Sequence, residues 1–422
     1  MKFDYLDLNS AELKFTDEHE AFKQNVRKFA MENLRPAAIE LDKMSPEDVI
    51  KEDSLFWKCM KKIHQNGYHT VLIPEELGGT GLDSVSLHIL FEEFGYASLG
   101  FVLALGVDVF PSFVASLLIS DHPELEDTII RPFVNDMECK FTGCWGITEP
   151  NHGSDIVMPG TPFFHDSKIN QQVFGKKVGD EWVLNGQKAA WISCGTTASQ
   201  CVLFFGTDNS MGMAGGAIAI VDLTQKGVSR GKPLDKIGVR ELPQGEIFFD
   251  NARVPDKHVL CGPEAYEGMT SLILAIANAH MAILSLGPGR AAFEEGLKYS
   301  RERIQGGKPL CEHQNVQIKL ADMFIKIEAA RQLSRTVQNY NMTCYPPRTE
   351  YSIASKVFCT NVAFEVVCNS MQLFGGCGLS KEFFIEKLFR DIRSTLVGDG
   401  ANDILSLTLA NHILFSDQPY GL

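Results

Sequence analysis

Apolar residues recur three and four positions apart over 17–38 and again over 54–67, with Phe22, Val26, Phe29 and Ala30 on one stripe. That spacing predicts helices burying one face, with a break or kink at Pro36. Residues 71–81 read as a glycine-rich loop; Gly-Gly-x-Gly with no Lys-Ser/Thr after it is not a phosphate-cradle sequence. The helical period resumes over 84–120. After Lys140 the rhythm changes to short apolar or aromatic runs at 141–147, 181–184, 200–205, 216–221 and 246–249, separated by Asn-Gly, Gly-Asp, Asp-Asn and Pro-Gly-type turns. Such runs predict a β domain of roughly 120 residues, a small barrel or sandwich. From Pro263 the helical period returns, over 266–300, 315–340, 352–374 and 381–388. The expected organisation is α+β in three domains: helical 1–140, β 141–262 and a helical bundle 263–422, with a cleft where they meet.

Composition narrows the function. With 45% hydrophobic and 22% charged residues the chain is an ordinary globular one, not a disordered one. A net charge of -14 argues against nucleic acid or an anionic membrane as partner. No uncharged apolar run is read as long enough to span a bilayer. The acidic start, Met1 to Ser10, has neither a signal peptide's order nor a transit peptide's arginines, so a cytoplasmic protein is expected. The eleven cysteines are scattered without a Cys-x-x-Cys pair, which fits reduced, mostly buried thiols. The histidines lack metal-ligand spacing, so no metal is expected.

One stretch stands out: Leu396-Val-Gly-Asp399-Gly-Ala401-Asn402-Asp403-Ile404, shortly after Arg390-Asp391. A carboxylate between two glycines, in a loop between helical patterns, can take an unusual backbone conformation and face a cavity, which makes Asp399 the candidate catalytic base. The plainer reading is a helix cap and a solvated turn.

Residues 144–155, Cys-Trp-Gly-Ile-Thr148-Glu-Pro-Asn-His-Gly-Ser154-Asp155, resemble the Thr-Glu-Pro-x-x-Gly-Ser-Asp signature of the acyl-CoA dehydrogenase superfamily. The order of other segments agrees over nearly the whole chain: the loop at 71–82, an Asn-Gly hairpin before Trp191-Ile192-Ser193, Arg253 to Pro255, and Gln372-Leu-Phe-Gly-Gly-Cys-Gly-Leu379. The resemblance implies FAD. Trp145, Ile147, Thr148, Ser154, Trp191 and Ser193 would wrap the flavin, with Asp403 as a further flavin contact or polar support. Arg303, Gln314, Gln372, Gly375 and Gly376 would reach the pyrophosphate of a neighbouring subunit's FAD in a homotetramer.

Counting from Arg390-Asp391, Asp399 falls where the family carries a Glu that removes the α-proton of an acyl thioester while flavin N5 accepts the β-hydride. Ser154 and Gly400 are the expected substrate contacts, and an electron-transfer flavoprotein the expected acceptor. The base is thus one methylene shorter than usual and is followed by Ala401 where a hydroxyl is customary. The alternative position for a base on the long helix falls near Ala277, and the Arg usual on that helix is replaced by about Asn278. An Asp followed by Gly-x-Asn also resembles nitroalkane oxidase, in the same superfamily; that enzyme's active-site Ser and Arg would align with Ala277 and Ser406. Dehydrogenation of a carrier-protein-bound acyl group is a further alternative, and a flavin-binding member without catalysis another. Gly398-Asp-Gly-Ala-Asn-Asp403 also resembles a segment of haloacid-dehalogenase-type phosphatases, but the aspartyl-nucleophile motif those need is lacking. Between Asp155 and Val178 lie about twelve residues more than a short connection needs, expected to shape the substrate mouth.

Overall fold

Thr16 opens the first helix with a reciprocal cap: its hydroxyl accepts from the His19 amide at 3.3 Å while its own amide donates to His19 Nδ1. The computed structural model describes residues 15–415, so the N-terminal decapeptide read above lies outside the described residues. Helix α1 (Asp17–Phe29) runs through a π turn, Ala30–Leu34, into α2 (Arg35–Leu41). Pro36 explains the widened turn, because its ring and missing N–H forbid the regular i−4 bond there. Short α3 (Pro46–Val49) and α4 (Leu55–Gln65) follow. The glycine-rich loop spends its amides internally, Thr80 on Thr70 O, Gly81 on Ile73 O and Leu82 on Val71 O, which leaves no cradle for a phosphate.

The single helix expected over 84–120 is three: α5 (Ser84–Ala97), α6 (Leu99–Asp108) and α7 (Phe110–Leu117). Ser98 breaks the first junction with an extended backbone, and its hydroxyl caps the Phe101 amide. Pro111 sits in the first turn of α7, where its lost donor costs nothing. A last short helix, α8 (Arg131–Val134), leads to the sheet.

Strands β1 (Gly143–Gly146), β2 (Phe174–Val178), β3 (Glu181–Lys188), β4 (Gln200–Gly206), β5 (Gly216–Asp222), β6 (Val228–Arg230), β7 (Ile247–Pro255) and β8 (Val259–Cys261) form one mixed sheet. Its order is β6-β7-β3-β2-β4-β5-β8, with β1 branching parallel from β4. The hydrogen-bonded path is open, with β6 and β8 as its ends. The hairpin that joins β2 to β3 turns at Gly179-Asp180, not at the expected Asn-Gly. Asn185-Gly186 instead makes a bulge inside β3, at φ +131° for Gly186, where a Cβ would meet Gln172 O at 2.6 Å.

The C-terminal part is α9 (Pro263–Glu302), a small hairpin of β9 (Ile304–Gln305) and β10 (Lys308–Pro309), α10 (Gln314–Thr343), α11 (Thr349–Phe374), α12 (Phe384–Ile392) and α13 (Asn402–Phe415). At the α5–α9 crossing the backbones nearly touch: a Cβ on Gly95 would lie 2.4 Å from Leu284 O, and one on Gly287 2.2 Å from Tyr96 N. Pro288 is tolerated mid-helix at this crossing. The expectation that no run is long and apolar enough for a membrane needs correction, since α9 and α11 both are by length and composition. Their apolar residues, among them Ala282, Leu286, Cys359, Val362 and Val366, are instead buried in a common core with α10, so bundle packing accounts for the hydropathy.

Candidate active site

The loop between α12 and α13 is built around a residue in the left-handed region. Asp399 has φ +53° and Gly400 φ +103°, so the strained conformation anticipated for this stretch is present. A side chain on Gly400 would strike Leu405 at 2.9 Å and Val157 at 3.1 Å. Burial raises the Asp399 carboxyl to about 6, against the pull of the Lys356 ammonium. Lys356 is itself lowered by burial to about 8, with Asp399 opposing. The Lys356 side chain is wholly buried and donates to Gly400 O at 2.7 Å and Asn402 Oδ1 at 2.8 Å. From the other side, the Ala401 amide donates to Ser154 Oγ at 2.9 Å. Asp403 is exposed in the first turn of α13, where a carboxylate suits the helix dipole.

Helix α9 runs beneath this loop, with Met281 Cε 3.2 Å from where a Gly398 Cβ would stand. Ala277, one turn earlier on the same face, is partly open, and Asn278 is buried with its Nδ2 on Leu274 O and its Oδ1 unpaired. No carboxylate stands at either position.

Behind the loop, Arg390 and Asp391 act as a brace. Lys387 Nζ donates to Asp391 at 2.6 Å and to Glu241 at 2.9 Å; Glu241 also accepts from Ser98, and Asp391 from the Val239 amide. All four side chains are buried, and they join α12, the segment between β6 and β7, and the α5–α6 junction. Arg390 holds Asp42 and Glu386. A buried cluster of this kind holds its geometry because losing one member leaves an uncompensated charge.

The signature segment supplies the opposite wall. Glu149 is buried and paired with Lys188 at 2.7 Å; it also accepts the amides of Gln172 and Val173. The Ala189 amide reaches Thr148 O at 2.9 Å, which sets 148–154 beside 189–193. Ile147 is buried, Thr148, Ser154 and Ser193 are half-buried, and buried Trp145 Nε1 has no partner. Gln244 donates to Trp191 O and Ser193 Oγ, while the Trp191 side chain stands 62% exposed. The long connection after Asp155 docks on the bundle: Phe164 stacks on Tyr266, His165 pairs with Glu267 at 3.1 Å, and His412 lies 3.0 Å from Pro159 O.

Arg303, Gln314, Gln372, Gly375 and Gly376 are exposed and share the other end of the bundle. Tyr299 stacks on Phe374 at 4.1 Å, which brings the end of α9 to the end of α11, and the Leu310 amide on Arg303 O folds the hairpin back toward Gln314. Along α11, Gln372 is sixteen residues from Lys356, about 24 Å at 1.5 Å per residue. These five residues therefore stand apart from Asp399 within one chain.

A sheet clamped between helical domains, with a half-buried carboxylate in a strained loop at their junction, defines an oxidoreductase class built on three recurring domains. Models of the acyl-CoA dehydrogenase N-terminal, middle and C-terminal domains match residues 16–119, 144–252 and 267–414. The chain is 30% identical over 406 residues to the short-chain specific acyl-CoA dehydrogenase, mitochondrial, of Rattus norvegicus, covering 96% of this chain and 92% of that one. It is 29% identical over 410 residues to a 3-(aryl)acrylate reductase of Clostridium sporogenes (strain ATCC 15579), covering 95% and 99%. Butyryl-CoA dehydrogenase from Megasphaera elsdenii superposes with a TM-score of 0.82 at 26% identity, over 96% and 100% of the two chains. Nitroalkane oxidase superposes with a TM-score of 0.85 at 21% identity over 97% and 98%, a likeness of fold alone. The chain belongs to the acyl-CoA dehydrogenase family of FAD-dependent oxidoreductases.

Reasoning from sequence missed Lys356, the Glu149–Lys188 pair and the Glu241–Lys387 brace. A lysine inside the apolar stretch Ile353-Ala-Ser-Lys-Val-Phe358 was the available signal, since a charge on such a face requires a partner.

Proposed function

We propose that the protein dehydrogenates an acyl-CoA thioester between its α and β carbons, with Asp399 as the base. The observation that carries this reading is the left-handed, half-buried Asp399 with its carboxyl raised to about 6, in register with Arg390-Asp391. An α-proton beside a thioester is weakly acidic, and a desolvated carboxylate is a stronger base than one in water. The Asp399 amide would hold the thioester carbonyl, whose developing charge needs a donor. Ser154 and the backbone at Gly400 would line the reacting end of the substrate.

The residues present fit FAD. Trp191 is fastened by its backbone yet exposed at its ring, Trp145 Nε1 is a buried donor lacking an acceptor, and a Cβ on Gly375 or Gly376 would meet nothing within 4 Å beside exposed Arg303. Trp145, Ile147, Thr148, Trp191, Ser193 and Asp403 would hold the flavin end. Arg303, Gln314, Gln372, Gly375 and Gly376 would hold the pyrophosphate of a neighbouring copy, because one chain cannot bring both groups to one site. FAD, when bound, supplies the acceptor for the β-hydride. A homotetramer, an electron-transfer flavoprotein as acceptor and a cytoplasmic location complete the reading.

Anaerobic addition of acyl-CoAs to the FAD-loaded protein should bleach the flavin. Oxygen consumption with nitroalkanes and no bleaching by thioesters would replace this reading with an oxidase using the same Asp. Bleaching by acyl groups on a carrier protein alone would change the thiol partner.

A further inference from the structure

Lys356 on α11 and Asn402 at the start of α13 meet at the loop that carries the base. Lys356 Nζ spends two of its three protons on Gly400 O at 2.7 Å and Asn402 Oδ1 at 2.8 Å. Asn402 is held in turn by its Nδ2 bonds to Thr360 Oγ1 and Asn361 Oδ1, both at 3.0 Å, so the acceptor cannot swing away. The Gly400–Ala401 peptide is thus gripped at its carbonyl from α11 and at its amide by Ser154. A carboxylate in the left-handed region keeps that conformation only where its surroundings over-determine it. Lys356 is also a buried cation in a helix whose neighbouring residues are apolar or small, and its position costs desolvation that a structural hydrogen bond alone does not require.

We infer that Lys356 is the positioning residue of the base, fixing the Asp399–Gly400 turn through the Gly400 carbonyl and acting as the buried counter-charge that keeps the Asp399 carboxylate ready to accept a proton. This inference rests on the proposed reaction for its catalytic meaning. Other charged groups on the elements around the loop are turned to other tasks: Asp155 holds His152 and the Gly153 amide, Asp403 and Arg393 are exposed, and His280 on α9 is kept neutral by burial at about 4. Among the described residues, Lys356 is the charged group whose field opposes the effect of burial on Asp399.

The test compares wild type with Lys356→Met and Lys356→Arg in the FAD-loaded protein. The rate of flavin reduction by an acyl-CoA is followed against pH, and the carboxylic-acid C=O stretch, assigned by its loss in Asp399→Asn, is titrated in the infrared without substrate. Removing the opposing charge should move the Asp399 midpoint, and with it the rise in rate, alkaline by about 1–3 pH units, and Lys356→Arg should restore most of it. A slower Lys356→Met variant with an unmoved midpoint in both readouts would reduce Lys356 to a structural role and overturn the inference. Lys356→Gln, which keeps a donor for Gly400 and deletes the charge, carries the same test if the Met variant fails to fold. Should no acyl-CoA reduce the wild-type flavin, the proposed reaction fails, while the infrared midpoint still decides whether Lys356 controls Asp399.

Discussion

The hydroxyl of Ser154 and the backbone amide of Ala401, 247 residues apart in sequence, meet at 2.9 Å and tie the signature segment to the base loop. Ser154→Ala removes the acceptor and leaves the amide unpaired in a half-buried position. A hydrogen bond of this kind is worth about 0.5–1.5 kcal/mol net, so the rate of flavin reduction by an acyl-CoA should fall several-fold with FAD retained. An unchanged rate in rapid-mixing measurements would mean that the loop is held without Ser154.

Asp399→Asn should keep the yellow colour and lose flavin reduction by about 10²–10⁴-fold, the range of a general base. In the wild type the rate should rise with pH through about 6, as the carboxylate ionises.

The same shift has a stability consequence of opposite sense. A folded-state carboxyl raised above its ordinary value stabilises the fold fully below about pH 4, and that contribution is lost as pH rises through about 6. The stability of Asp399→Asn relative to wild type should therefore improve by about 2 kcal/mol between pH 4 and pH 7. Denaturant melts at the two pH values check it, and a difference that does not grow with pH would mean that the carboxyl is not raised.

Lys188→Met should strand Glu149 as an uncompensated buried charge facing the Gln172 and Val173 amides. Breaking a buried pair costs about 3–5 kcal/mol, so denaturation followed by Trp182 and Trp191 fluorescence should shift to markedly lower denaturant.

If the FAD site is shared between copies, Arg303→Ala and Asp399→Asn should complement. Each variant alone should be slow, the first through FAD loss and the second through loss of the base. Refolded or co-expressed mixtures should regain part of the wild-type rate in hybrid sites. Strictly additive, unrescued activity in the mixtures would mean that Arg303 and Asp399 do not serve a site shared between copies.

Much of the architecture follows from local chemistry. The change from a helical period to short runs after Lys140, and back after Pro263, marks where the sheet begins and ends because burial of one face imposes periods of 3.6 and 2 on the chain itself. Junctions were less legible: Ser98 ends α5 by capping the next helix, a choice made against the strong apolar pattern on both sides. Asn185-Gly186 has the composition of a tight turn, yet the approach of Gln172 and Val173 makes it a bulge.

At the candidate site, sequence alone pointed to the Asp399 loop, because two glycines around Asp399 and the spacing from Arg390-Asp391 are properties of contiguous residues. It also nominated Thr148, Trp191 and the exposed glycines at 375–376, each within a short motif. Only the tertiary structure decided what holds the loop and braces the helix before it. Lys356 comes from 43 residues before Asp399, Ser154 from another domain, and Glu241 with Lys387 from two more segments, and each matters through distance and burial. Charge effects in a protein interior depend on where groups meet in space and how far water is excluded, and neither is encoded in any local pattern of residues.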